Sequence, residues 1–324
     1  MKVKIEYIIL GAIILALSLY LFQRNTNKVN YQLPSLPGIS IKDISKIEIS
    51  GPDESIALNK KDSKWYIGTD EYLADSKKAQ DMLDVIGKLT LTALVSESKK
   101  YSRYNLSNDK KIHVKAWIGD KIKREFEIGK AAGSYQHTFV KLSEDHRVYH
   151  AIGNFRGKFD QAVENIRDKV VLSFEKADIY EIKITKEEKS LVFKREESPV
   201  VVKPGENNDK PVPPSKETEQ VWKRSDGENA DQSSLNSLLA TLSHLRCDRY
   251  ISDKRKEDFT DPLHTVLLTG TQKYTLSIFP ETEKGNEKYP ALSSENDYPF
   301  LLTKLQVENI MKKSGWIDKK VDKS

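Results

Sequence analysis

At 324 residues and 37.0 kDa the chain has room for two ordinary domains but not for a long array of them. Apolar residues at 38% suffice for packed cores, and charged residues at 31% imply an extensive water-facing surface. The 53 basic and 48 acidic residues are interspersed and leave a formal charge of only +5, which argues against a nucleic-acid binder. The lone Cys247 excludes an internal disulfide and a cysteine-based zinc cluster, and six scattered histidines argue against a metalloenzyme.

Residues 7–22 (YIILGAIILALSLYLF) carry no charge, and the apolar run reaches back to Ile5 with only Glu6 interrupting it. As helix, a run of this length covers roughly 27 Å, close to the thickness of a bilayer hydrocarbon core. Lys2 and Lys4 give it a positive front end, and the small-x-small triplet Ala16-Leu17-Ser18 lies inside the apolar run rather than after it. The expectation is an uncleaved membrane anchor over residues 1–23, embedded through residues 5–22, with the rest of the chain on the extracytoplasmic side. A cleaved signal peptide and a buried soluble helix are the alternatives. A polar, Pro- and Gly-marked linker is expected over 24–40.

Beyond the linker the chain repeats itself. Ile44, Ile47 and Ile49 recur as Ile179, Ile182 and Ile184 at one constant offset, and Ile56 and Leu58 recur at the same offset as Leu191 and Phe193. Both stretches alternate with period two, as half-buried strands do. Further on the offset lengthens: Trp65 corresponds to Trp222 and Asp75 to Asp231. Ala79, Met82, Leu83, Ile86 and Leu89 correspond to Leu235, Leu238, Leu239, Leu242 and Leu245. That set is the apolar stripe of an amphipathic helix, and each aspartate stands where an N-cap belongs. The lengthening locates a Pro-rich insert at about 198–219 in the second copy, which reads as an extended solvated loop. Hairpins are expected around Gly119-Asp120 and Gly270, and short helices close the copies around 153–166 and 304–313. The fold class is therefore α+β: an N-terminal transmembrane helix, then two tandem related domains, 41–172 and 173–324, each an antiparallel sheet with a packed amphipathic helix.

Several of these segments together resemble an uncharacterised bacterial membrane-protein family, domain of unknown function 4340. They are the apolar N-terminus, Lys64-Trp65-Tyr66, the Ala74-Asp75 helix start, YNLSNDKKIHV, FEIGKAAG, VYHAI and the junction NIRDKVVLSFEKADIYEIKI with its Arg167-Asp168-Lys169 triplet. The resemblance implies an extracytoplasmic, membrane-tethered protein, of a kind often encoded beside ABC-type transporter components resembling the gliding-motility auxiliary proteins. It implies no catalytic residue and no cofactor.

Catalytic patterns are weak. His146 and His150 are four apart, but EDHRVYHAI reads as a strand, where that spacing puts them roughly 13 Å apart, too far for one metal. No G-x-S-x-G elbow occurs, and Ser-x-x-Lys at Ser96, Ser107 and Ser173 is no more frequent than composition predicts. Gly129 and Gly133 in GKAAG read as a turn, without the G-K-[ST] of a phosphate loop. Asp70, Glu71, Asp75, Glu257, Asp258 and Asp261 supply carboxylates for which caps and turns are the default, and only their separation in space could make a glycosidase pair. Arg167-Asp168-Lys169 reads as a local ion pair at the junction. Trp65 and Trp222 read as core, and the basic C-terminal run with Lys312 and Lys313 as a solvated end.

What remains is a candidate binding surface: Trp117, Tyr135 and Phe139, aromatic residues on the first copy's hairpins. The expected function is non-catalytic: an accessory or scaffold subunit of an ABC-type transporter complex, contacting permease or auxiliary subunits. The alternatives are a polysaccharide or peptidoglycan binder of the cell envelope and, third, a carboxylate-dependent hydrolase. No cofactor, metal or nucleic acid is expected.

Overall fold

The computed structural model describes residues 5–24, 31–199, 218–228, 230–281, 285 and 287–313. The chain divides into two compact units, Met1–Ile166 and Arg167–Ser324. The division falls a few residues before the expected 172/173 boundary, because Val170–Ser173 pairs with His244–Arg246 in the second unit.

The first unit starts with helix α1 (Ile5–Arg24). Among the described residues no helix is long and apolar enough to cross a membrane. The unbroken run of described α1 side chains, Ile9 to Leu21, covers about 20 Å, against roughly 30 Å of hydrocarbon core. The span expected over residues 5–22 is thus without structural support.

Part of the linker expected over 24–40 lies outside the described residues. From Tyr31 onward it is a docked strap and not a free spacer. Leu33, Leu36, Ile39 and Ile41 pack half-buried against the first unit's core. Arg124 Nη2 donates to Pro37 O at 2.6 Å and Lys60 Nζ to Lys42 O at 2.8 Å. Gly87 leaves the space the strap needs, since a Cβ there would stand 2.3 Å from Ile41 Cγ2. The strap was illegible because its apolar residues follow neither the helical nor the strand period.

After the strap come β1 (Lys46–Ser50), β2 (Ser55–Lys61), β3 (Lys64–Ile67) and β4 (Tyr72–Leu73), then α2 (Ser76–Lys88) and β5 (Leu91–Ser96). Next are β6 (Ile112–Ile118), β7 (Lys121–Ala131), β8 (His137–Leu142) and β9 (Val148–Ile152), with short helices α3 (Arg156–Phe159) and α4 (Val163–Ile166) closing the unit. The nine strands form one antiparallel sheet in the order β4-β3-β2-β1-β6-β7-β8-β9-β5. Asp75 caps α2 as expected, its carboxylate accepting from the Lys77 and Lys78 amides. Ala79, Met82, Leu83 and Ile86 turn inward and join Ile47, Leu58, Trp65, Val114, Phe126, Val140 and Tyr149 in one buried cluster. Each such large side chain removed from water contributes about 1.5–3 kcal/mol.

The second unit contains β10 (Val170–Ser173), β11 (Glu181–Lys186), β12 (Lys189–Pro199), β13 (Thr218–Arg224), α5 (Gln232–Leu242), β14 (His244–Arg246) and β15 (Arg249–Tyr250). It continues with β16 (His264–Thr269), β17 (Lys273–Ile278), β18 (Lys288–Ser293), β19 (Phe300–Thr303) and α6 (Lys304–Lys313). Its main sheet runs β13-β12-β11-β16-β17-β18-β19-β15, and β10 pairs with β14 apart from it. Apart from β4, this order matches the first sheet strand for strand. Asp231 caps α5 through the Ser234 amide, and Leu235, Leu238, Leu239 and Leu242 are buried with Trp222, Ile182 and Phe193. Residues 200–217 of the insert expected at 198–219 lie outside the described residues. Its ends are strand, with Ser198 opposite Glu219 and Pro199 opposite Thr218. The expected hairpins are present as β6–β7 around Gly119 (φ +56°) and β16–β17 around Gly270.

Candidate functional site

Strand alternation gives the first sheet a second face, turned away from α2. On β6 the inward residues are Ile112, Val114 and Ala116, which leaves His113, Lys115 and Trp117 outward. Register carries this across the sheet: Lys46 stands opposite Trp117, Glu48 opposite Lys115, Lys141 opposite Glu127, and His150 opposite Phe139.

The middle of this outer face is an ion-pair field. Glu127, only 7% exposed, takes Lys111 Nζ on Oε1 at 2.7 Å, and Lys141 Nζ lies 3.0 Å from Oε2. The second contact is off the line of a hydrogen bond, so that oxygen has a charge partner only. Glu125 is met by His113 Nε2 at 2.8 Å and Lys115 Nζ at 3.7 Å, and Lys46 pairs with Glu48 at 2.6 Å. Every carboxylate of the field faces a cation, an arrangement that fixes side chains and register.

Toward the β8–β9 end the face becomes aromatic. The segment Tyr101–Leu106 crosses it at Gly129, where a Cβ would lie 2.2 Å from Tyr104 O and 3.0 Å from Leu106 Cγ. Gly129 therefore stands inside strand β7, not in the turn expected for GKAAG, because only a missing side chain admits the crossing backbone. Tyr104 lands on Phe139 (centroids 4.9 Å), Phe139 meets His150 (4.9 Å), and His150 stacks on His137 (5.3 Å, 26° between planes). Burial first, then the nearby His137, hold the His150 pKa below the ordinary histidine value. Beside this ladder, Asp145 accepts Arg147 Nε and Nη2 (2.8 Å from Nη2) and the Tyr149 hydroxyl at 2.6 Å. Burial raises the Asp145 pKa, but these hydrogen bonds outweigh it and hold the carboxyl well below the usual range.

The three aromatic residues expected to form a binding surface are not brought together. Phe139 is part of the ladder, and Tyr135 stands in the β7–β8 turn at the same end, 72% exposed and with φ +56°. Trp117 shares their face, but about six residues along and two strands across separate it from Phe139 by roughly 20 Å. Its ring lies under Lys46 Nζ at 5.3 Å, and its Nε1 is buried with no acceptor among the described residues, so that N–H is turned away from any ligand. Sequence reasoning missed Glu127, His137 and Tyr104. The usable signal was the outward triplet on each strand, which requires the pairing order before it becomes a face.

Other candidates also have definite places. His146 lies in the turn before β9, and its carbonyl accepts from the Tyr101 hydroxyl. Asp75 is a cap, Glu71 pairs with Lys61, and Asp258 accepts the Arg255 amide. The Arg167-Asp168-Lys169 triplet, read as a local ion pair, makes its contacts elsewhere in the second unit. Arg167 lies 3.7 Å over the Tyr250 ring, Arg246 comes within 3.8 Å of Asp168, and Lys169 donates to Asp248 O at 2.6 Å. Trp65 and Trp222 are buried, as expected.

Strand order and faces define a mixed α+β protein dominated by antiparallel sheet, with ion pairs across the outer face of the first sheet. The chain belongs to the family described as domain of unknown function DUF4340, whose signature matches residues 65–262. The match runs from Trp65 in β3 to the loop before β16, crossing both units once and not falling once on each. No curated protein and no solved structure matches the chain.

Proposed function

We propose that the chain is a non-catalytic, membrane-tethered extracytoplasmic protein, an accessory or scaffold subunit of an ABC-type transporter complex. The tether is α1, embedded through residues 5–22. One observation carries the reading: α1 is apolar around its whole circumference, with Ile9, Leu10, Ile13, Ile14, Leu15, Leu17, Leu19 and Leu21 each at least half exposed. A helix of that kind is at home only in a protein core or in lipid. The described side chains fall short of a full span, so the anchor rests on the whole uncharged run 7–22.

The two units read as tandem copies of one ancestral domain. Their common strand order, paired N-cap aspartates and corresponding helix stripes support that. The ion-paired outer face of the first sheet and the open edges of both sheets suit the binding of protein partners. The test is crosslinking of the full-length chain in its native membrane, followed by affinity purification and mass spectrometry. Enrichment of a permease or auxiliary subunit above background is the expected result, and a preparation free of membrane partners would refute the scaffold role.

The envelope-glycan alternative is favoured by a different observation, the exposed Tyr135 beside the Tyr104–Phe139–His150 ladder. On that reading the chain sediments with isolated cell wall and Tyr135→Ala reduces the bound fraction. The carboxylate-hydrolase reading gains nothing from Glu125 and Glu127, which face Lys115 and Lys111.

A further inference from the structure

The loop joining β5 to β6 holds an open cavity of about 520 Å³, within the range of roughly 300–1,000 Å³ typical of small-ligand sites. Lys99, Lys100 and Arg103 line it together with Ser102, Ser107 and Asn108. No carboxylate lines it, and from Ser98 to Asn108 the sequence contains no acidic residue. Asp109, just beyond, takes a hydrogen bond from Ser107, and Glu97 lines a neighbouring hollow with Arg147. None of the three cations makes an ion pair with a described residue, in contrast to Lys46, Lys111, Lys115 and Lys141 on the adjoining sheet face. The frame beneath them is fixed: Tyr101 donates to His146 O at 3.0 Å, and Leu106 is buried where the segment crosses Gly129.

The second unit supplies an internal control. Its equivalent loop also follows a strand paired to the last strand of the sheet, also carries a 3₁₀ turn (Lys256–Asp258), and is also basic, with Lys254, Arg255 and Lys256. There the charge is met from within. Lys254 stands 5.7 Å over Phe259, Lys256 donates to Ser293 O at 3.3 Å and lies 3.9 Å from Asp297, and Asp253, Glu257 and Asp258 are interleaved in sequence. The same position in the fold carries interleaved acidic residues in one unit and none from Ser98 to Asn108 in the other.

We infer that the loop 99–108 is a binding site for a phosphoryl oxyanion, with Lys99, Lys100 and Arg103 supplying charge and Ser102 and Asn108 supplying neutral donors. The phosphoryl group comes from a phospholipid headgroup or from a soluble phosphomonoester. The site does not depend on the scaffold reading above and survives if that reading fails.

The test uses the full-length chain in neutral maltoside micelles and titration calorimetry in two arms. One adds sn-glycerol 3-phosphate; the other compares micelles doped with phosphatidylglycerol against micelles doped with phosphatidylcholine. Saturable binding is expected in at least one arm, and the responding arm identifies the source of the phosphoryl group. Each cation replaced should weaken binding about fivefold, so Lys99→Gln/Lys100→Gln/Arg103→Gln loses about two orders of magnitude and Arg103→Gln alone about fivefold. Lys254→Gln/Arg255→Gln in the second unit should leave the affinity unchanged. Thermal melts of these exposed-residue variants separate a lost site from a lost fold. Silence in both arms, binding that the triple variant retains, or an equal loss in the second-unit variant would overturn the assignment.

Discussion

Gly129 and Asp145 show how single residues fix the candidate face. A methyl group at position 129 meets backbone, the Tyr104 carbonyl at 2.2 Å, which no rotamer change can relieve. Gly129→Ala should therefore cost about 2 kcal/mol of stability in chemical denaturation and displace the segment that seats Tyr104 on Phe139; wild-type stability would refute the crossing. Asp145 has a folded pKa below its ordinary 3.8, so its contribution is fully present above that pH and is lost as acid titrates the folded carboxylate. Asp145→Asn should remove about 1–2 kcal/mol at pH 7 and flatten the loss of stability below about pH 4, as read from denaturation curves across pH. Neither role could be read from sequence. The seat at Gly129 depends on a segment crossing a sheet, and Asp145 depends on a tyrosine that reaches it only after the turn is made.

Local periodicity made the helices legible and non-local pairing hid the rest. The α2 and α5 stripes and their caps follow from spacing within one segment, and Asp75→Ala should cost about 1 kcal/mol, measured as a shift in the first unit's unfolding transition. An unchanged transition would show that the cap hydrogen bonds contribute nothing net. By contrast, the β10–β14 pair joins segments far apart in sequence, and the strap over 31–43 docks through apolar residues with no period. Arg124 beneath that strap is 5% exposed; among the described residues its Nε and Nη1 have no partner and Pro37 O is its one acceptor, and burial lowers its pKa. An uncompensated buried guanidinium is costly. Arg124→Met should leave stability unchanged or raise it by about 1 kcal/mol while hydrogen exchange in the strap accelerates. A large loss of stability would mean that the guanidinium has a role beyond holding the strap.

At the scale of the molecule, the proposed duplication rests on apolar positions that recur at constant offsets in the sequence, and the strand order the two sheets share apart from β4 supports it. Trp117, Tyr135 and Phe139 were legible as outward aromatics, but their separation depends on the pairing order of β6, β7 and β8, and that order groups Phe139 with histidines instead. Everything proposed about partner and compartment depends on the tether. The most direct measurement is alkaline extraction of membranes carrying the full-length chain, combined with protease added from the extracytoplasmic side. The tethered reading predicts that the chain stays in the pellet, that protease digests both units, and that a variant lacking residues 1–24 is released to the supernatant. Release of the intact chain by alkali, or full protection from external protease, would contradict it.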